Sequence, residues 1–338
     1  MGVLLVAALT GVPVGMADPA GTVCRIEDDR LTEISGLVAD GRGYVVVNDG
    51  VDDASGRRIF FLDRRCAVTR TVRYPSQPRD TEDLARGADG TLWVGDIGDN
   101  DRVRDTVAVW RLAPGAKRPA LFRLSYPDGP HDAEALLVGA DGVPVVVTKD
   151  PLTAGVYVPD GELRAGETTP LRRAGDWGIP IGTGTSNPFG IRGRAVVTGG
   201  AVSADGRRVA LRTYADAFEF DAPDGDVVRA ITEGEPTTLA LPDEPQGESL
   251  AYSADGTALL TVSEGEGGVP LLRYPLAEPA AAAPSPSPSL SPSPAAAPAV
   301  AGGEGRRLPL QPVIAALGLL AIAGMGGLVI ARRRRSHG

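Results

Sequence analysis

The chain has 338 residues, with 34 Lys and Arg against 43 Asp and Glu, for a formal net charge of −9. Every acidic residue precedes residue 305, whereas six of the arginines follow it, so the first 304 residues are more acidic than the total suggests. Such a surface repels phosphate backbones, which argues against a nucleic-acid partner and suits cations or neutral ligands.

In chain order, Met1 to Ala17 is uncharged and apolar and ends in Gly15-Met16-Ala17, the small residues that a signal peptidase reads. Residues 1–17 are therefore expected to be a signal peptide, although no basic residue precedes the apolar run. Cys24 and Cys66 are the two cysteines. In an exported chain they favour a disulfide over a metal site, with two buried thiols as the alternative. A loop of this length, once closed, would contribute about 3–4 kcal/mol in the chain-entropy model.

Residues 18–278 carry an internal repeat. Glu33, Glu82, Glu134 and Glu248 each stand seven residues before an Asp-Gly pair, and Thr198 takes the same place in a fifth copy. The copies start 49, 52, 64 and 50 residues apart. Each reads as strand, Asp-Gly turn, strand, followed by two more strands, for example Ile59 to Asp63 with Val68 to Tyr74 and Ala217 to Asp221 with Val227 to Ile231. Four strands in about 50 residues mark a β-propeller blade. The expected fold is thus all-β, a five-bladed propeller. The last copy has room for only three strands, and an N-terminal strand at Thr22 to Glu27 is expected to complete it and close the ring. The longer spacing around Leu152 to Asn187 leaves a degenerate sixth blade as the alternative.

Residues 279–307, rich in Pro, Ala and Ser, read as an extended stalk able to reach roughly 90 Å. Val313 to Ala331 contains no charge and is followed by Arg332 to Arg335. At about 1.5 Å per residue it matches the ~30 Å hydrocarbon core, so a single C-terminal transmembrane helix is expected. The basic tail 332–338 would lie in the cytoplasm and the propeller outside, at the cell surface.

The first strand of each blade lines a propeller's tunnel, which makes Glu33, Glu82, Glu134, Thr198 and Glu248 a ring. Converging carboxylates must protonate, reach water or hold a cation, and oxygen-only ligands favour calcium. A structural role for each Glu and a catalytic one are the competing readings. Loops projecting from the same face carry Asn48, Asp49, Asp96, Asp99 and Asn100, with Lys149 and Arg212 the nearest basic residues, and Glu264 follows in the fifth copy. These form the candidate binding face for a ligand whose identity is open. His131 lacks a Ser or Cys partner in a recognisable setting and reads as a loop residue.

The acidic strand starts Leu31-Thr-Glu-Ile-Ser-Gly-Leu37, Asp80-Thr-Glu-Asp-Leu84, Asp132-Ala-Glu-Ala-Leu136 and Gln246-Gly-Glu-Ser-Leu250 resemble those of calcium-dependent propellers. These are the five-bladed calcium-activated nucleotidases, or soluble apyrases, and more loosely the phytase-like proteins. The overall layout is also similar to that of actinobacterial membrane-anchored surface proteins. The resemblance implies one central calcium held by Glu33, Glu82, Glu134, Thr198 and Glu248. The dense Lys/Arg set that surrounds a phytase's phosphates is missing. The leading expectation is therefore a membrane-anchored, calcium-stabilised, ligand-binding propeller. The alternatives are a calcium-dependent surface phosphohydrolase and a metal-free structural protein.

Overall fold

Each of the five repeats turns on the tripeptide Ala-Asp-Gly, and the aspartate explains why the chain reverses there. The Oδ1 atoms of Asp40, Asp89, Asp141, Asp205 and Asp255 each accept the backbone N–H two residues on, at 2.7–3.1 Å. That is the local bond by which an Asx turn imitates a backbone turn. Gly90, Gly142, Gly206 and Gly256 then take positive φ, a conformation that a side chain would strain.

The computed structural model describes residues 21–50, 53–242, 244–265 and 267–277, all within the first of two units, Met1–Ala281. Strand β1 (Gly21–Ile26) leads into the first blade, β2 (Ile34–Asp40), β3 (Gly43–Asn48), β4 (Arg58–Asp63) and β5 (Val68–Arg73). The second blade is β6 (Asp83–Arg86), β7 (Leu92–Asp96), β8 (Val107–Leu112) and β9 (Ala120–Ser125). The third is β10 (Ala133–Val138), β11 (Pro144–Thr148), β12 (Thr153–Pro159) and β13 (Thr168–Gly178). After the short helix α1 (Ile191–Arg194) comes the fourth, β14 (Gly199–Val202), β15 (Arg208–Arg212), β16 (Asp216–Asp221), helix α2 (Val227–Glu233) and β17 (Thr237–Ala240). Strands β18 (Gly247–Tyr252), β19 (Ala258–Ser263) and β20 (Val269–Pro275) form the last blade, and β1 pairs antiparallel with β20 as its outer strand.

The inner strands β2, β6, β10, β14 and β18 neighbour one another around a closed ring. A hydrophobic cluster fills each of the five gaps between blades. Phe60 and Leu271 meet between the first and last, Trp110 and Ile59 between the first and second, and Trp177 and Phe218 between the third and fourth. Burying such side chains drives the blades together at about 1.5–3 kcal/mol apiece. Cys24 of β1 and Cys66, after β4, form a disulfide with Cα atoms 6.0 Å apart, which ties the closing strand of the last blade to the first.

Three expectations are corrected. Val227 to Ile231 is helical, because Asp226 caps it by accepting the Arg229 N–H at 2.9 Å, and the outer strand comes later at Thr237–Ala240. The span Leu152 to Asn187 holds the two outer strands of the third blade and a loop, with no sixth sheet among the described residues. Its long β13 also pairs parallel with β9, joining the second and third blades at their rims. The third correction concerns the transmembrane helix, the membrane partner and the cell-surface location read from it. No helix among the described residues is long and apolar enough to cross a membrane. The segment 313–331, like the expected signal peptide, stalk and basic tail, lies outside the described residues.

Candidate metal centre

Register irregularities in the inner hairpins decide which acidic side chains converge. Between β10 and β11, Ala133 faces Thr148 and Ala135 faces Val147, so Glu134 is an extra, bulged residue. Between β18 and β19, Gly247 faces Ser263 and Ser249 faces Val262, which makes Glu248 the bulge. A bulge leaves its residue out of the ladder and re-aims its side chain. In the first blade the irregularity falls two residues later in the repeat, between Ile34 and Gly36. Ser35 is the extra residue there, its Oγ donating to the Thr81 carbonyl at 3.0 Å, while Glu33 stays exposed.

Glu82, Glu134 and Glu248 are each buried to within 5% exposure. Asp49, Asp80 and Glu82 each bring one oxygen within 4.8 Å of the others, and Asp49, Glu248 and Glu264 do the same. Asp49 belongs to both trios, so five carboxylates surround one region of the tunnel mouth. Backbone bonds hold the loops in place. The Asp49 N–H donates to the Glu33 carbonyl at 2.7 Å, and the Glu264 N–H to the Gln246 carbonyl at 3.0 Å. Asp80 is held from below by Asp96, whose carboxylate accepts the backbone N–H groups of Arg79 and Asp80 and the Arg104 guanidinium at 2.9 Å.

Gathering these groups is costly. Burial, then the Asp49 charge, pushes the Asp80 carboxyl up to about 7. Burial and Glu248 push Glu264 up to about 8. Glu82 is raised by burial and by Glu134, Asp49 and Asp80, and Glu134 is raised by burial against the pull of Lys149. Glu134 Oε1 accepts from Lys149 Nζ, whereas Glu134 Oε2 and Glu248 Oε2 are buried without a hydrogen-bond partner. A buried orphan acceptor costs about 1–3 kcal/mol, more if charged, unless something pairs with it. Space is tight: a Cβ on Gly98 would overlap Glu82 Oε1 and Asp80 Oδ2. The donor set therefore fits a divalent metal ion. All-oxygen, mostly carboxylate ligation is the chemistry of hard cations, calcium among them.

The other expected residues scatter. Thr198 is buried and donates its hydroxyl to the Gly247 carbonyl at 3.0 Å, linking the fourth blade to the fifth. Asn48 and Asp96 are buried, Asn48 bonded through Nδ2 to the carbonyls of Arg30 and Gly56. Asp99 accepts the N–H groups of Val103 and Arg104 and shapes its own loop, and Asn100 is exposed. Arg212 does not stand on the face at all: it is fully buried and paired with Glu244 at 2.9 Å. His131 lies 3.1 Å from both Asp128 and Asp150 at the blade rim.

Asp80, Gln246 and Tyr214 belong to the centre and were not assigned from the sequence. Gln246 Nε2 reaches Glu248 Oε1 at 3.4 Å, and the Tyr214 hydroxyl donates to the same oxygen at 3.0 Å. One signal was available, since a polar residue stands two places before the glutamate in Asp80-Thr-Glu82, Asp132-Ala-Glu134 and Gln246-Gly-Glu248. A groove of about 840 Å³ beside the Asp-Gly turns of the first two blades and a funnel of about 320 Å³ at the other tunnel mouth include none of these five carboxylates.

No protein-family model and no curated protein matches the chain. Among solved structures, a luciferin-regenerating enzyme is similar at 13% identity and a TM-score of 0.42, covering 72% of this chain and 77% of that one. A protein provisionally described as a gluconolactonase is similar at 14% identity and a TM-score of 0.40, covering 72% of this chain and 76% of that one. The likeness is one of fold alone and transfers no residue role. The propeller architecture itself rests on the strand pairing above.

Proposed function

We propose that the five carboxylates Asp49, Asp80, Glu82, Glu248 and Glu264 hold one calcium ion, and that the protein is a calcium-dependent hydrolase of phosphoester or related ester substrates. The observation that carries this reading is the pairing of two trios through Asp49 with the orphaned Glu248 Oε2. Calcium rather than magnesium suits five carboxylates drawn from four separate segments of the chain, because magnesium demands near-ideal octahedral geometry. Bound there, the ion would supply Lewis-acid polarisation of a substrate oxygen.

The chain's own residues add the rest. Asp49, Asp80 and Glu264 are only half-buried, so the centre faces solvent instead of being sealed in the core. Lys149 Nζ pairs with Glu134 and lies 3.4 Å from the Tyr214 hydroxyl, which puts a positive charge beside the centre where an anionic group can be held. Glu134 keeps that lysine oriented.

A metal-free reading has one observation in its favour in each trio. The Asp49 and Asp80 carboxyls lie close together, as do those of Glu248 and Glu264, so a proton shared within each pair could hold the trios together without an ion. Activity separates the two. The full-length protein would be assayed with nucleoside triphosphates, a chromogenic phosphate monoester and a lactone, in calcium and in chelator. We expect calcium-dependent turnover of at least one of them, lowered by Glu248→Gln. Absence of calcium-dependent turnover on all three would sink the hydrolase reading.

A further inference from the structure

Of the large hydrophobic side chains exposed among the described residues, Val103, Leu152 and Phe189 stand on loops of the carboxylate-bearing face and Ile191 begins the short helix α1 that follows Phe189, whereas Val23 and Val143 stand elsewhere. Phe189 and Ile191 are 43% and 63% exposed. Their loop, residues 179–195, is the insertion that lengthens the third repeat, and it is firmly held. Thr183 and Thr185 donate their hydroxyls to the two oxygens of the fully buried Asp216, at 2.7 and 2.6 Å. Arg194 Nη2 donates to the Thr185 carbonyl at 2.7 Å, and the Phe189 N–H to Asn187 Oδ1 at 3.0 Å. The Tyr214 N–H completes the set at the Gly193 carbonyl, 3.0 Å away.

Fixing a loop in this way while leaving its apolar residues in water gains nothing for folding. The Phe189 ring lies 4.5 Å from the Tyr214 ring, centroid to centroid, at an interplanar angle of 49°. Tyr214 in turn bonds Glu248 of the centre through its hydroxyl. An aromatic pair therefore leads outward from the carboxylates, from the buried Tyr214 to the exposed Phe189, and Ile191 stands exposed two residues further along the chain. A flat apolar group whose anionic end reached the cation would lie against these side chains in the tilted geometry that aromatic pairs prefer.

We infer that Phe189 and Ile191 determine specificity at this centre, selecting anionic substrates in which the phosphoryl or acyl group carries an aromatic substituent. The inference rests on the cation reading and adds the substrate's second half. Rigid aromatic anchors of this sort give affinity at small entropic cost, since the loop is already ordered.

The test uses two hydrolytically inert probes, phenylphosphonate and methylphosphonate, titrated calorimetrically into the calcium-saturated full-length protein, with calcium itself titrated separately. We expect the phenyl compound to bind about tenfold tighter than the methyl compound, in line with burial of one ring. Phe189→Ala with Ile191→Ala should bring the two probes to within about twofold of each other, as expected of lost apolar contact, with calcium affinity unchanged. That unchanged affinity also reports that the variant is folded. Equal binding of both probes by the parent protein, no binding of either, or a phenyl preference that survives the double substitution would overturn the inference while leaving calcium binding intact. Failure of calcium to bind the parent protein would instead overturn the reading on which it rests.

Discussion

The Tyr214 hydroxyl donates to Glu248 Oε1 at 3.0 Å, and the second oxygen of the same carboxylate lies buried with no hydrogen-bond partner. One oxygen is thus oriented by the tyrosine, and the other is available to the proposed ion. Tyr214→Phe removes the orienting bond and should weaken calcium about tenfold, the usual effect of losing a group that positions a ligand. Glu248→Gln should weaken it at least as much. Calorimetric titration of both variants checks this, and affinities equal to that of the parent protein would contradict it.

Protonation gives a second handle. Asp80 and Glu264 are held up to about 7 and about 8, mainly by burial. Both lie above their unfolded values, so without metal the native state keeps protons that the unfolded chain has released. Stability from these groups is fully present below about pH 4 and is lost as pH rises through roughly 7 to 8. In chelator the melting temperature should fall between about pH 5 and 8, and calcium should offset more of that fall at the alkaline end, because it binds the ionised carboxylates. A chelated protein whose melting temperature rose across that range would contradict the assignment.

Gly98 tests the tightness of the cradle. Alanine there would drive its Cβ into Glu82 Oε1 and Asp80 Oδ2 and spread the first trio. Gly98→Ala should lower calcium affinity by about tenfold or more, since metal sites tolerate little displacement of their ligands. Terbium luminescence, with calcium as the competitor, would measure the loss. Unaltered competition would mean that Glu82 and Asp80 do not ligate together.

Arg212 was expected on the binding face and is instead the charged half of a fully buried pair with Glu244, further bonded to the Ser249 carbonyl at 3.0 Å. Removing one partner of such a pair leaves a buried charge alone. Arg212→Ala should therefore destabilise the protein by about 3–5 kcal/mol in urea unfolding. A loss below about 1 kcal/mol, typical of an exposed pair, would contradict this placement.

These residues also mark what could be read from the sequence. The Ala-Asp-Gly turns are local devices, so the repeat spacing shows where each hairpin reverses and that Glu82, Glu134 and Glu248 occupy equivalent places. The bulges were hidden. A two-residue difference in their position leaves Glu33 in solvent and frees Glu134 and Glu248 from the ladder, and no spacing argument distinguishes Ser35 from Glu134 as the extra residue. Reading Arg212 as a basic residue nearest the binding face misplaces it for a related reason. Position at the strand end does not say which side of the sheet a side chain takes, and this one is turned inward to Glu244. Asp80 was overlooked because it precedes β6, and only the tertiary approach of the Asp49 loop gives it a partner.

The most direct measurement is a calorimetric titration of calcium into the metal-stripped full-length protein, paired with thermal melts of the same samples. The account predicts one bound ion and a melting temperature that climbs with calcium, since a ligand held only by the native state must stabilise it. Both effects should be lost in Asp49→Asn, which breaks the two trios at their shared member. No heat of binding, together with identical melting curves in calcium and in chelator, would contradict the metal centre.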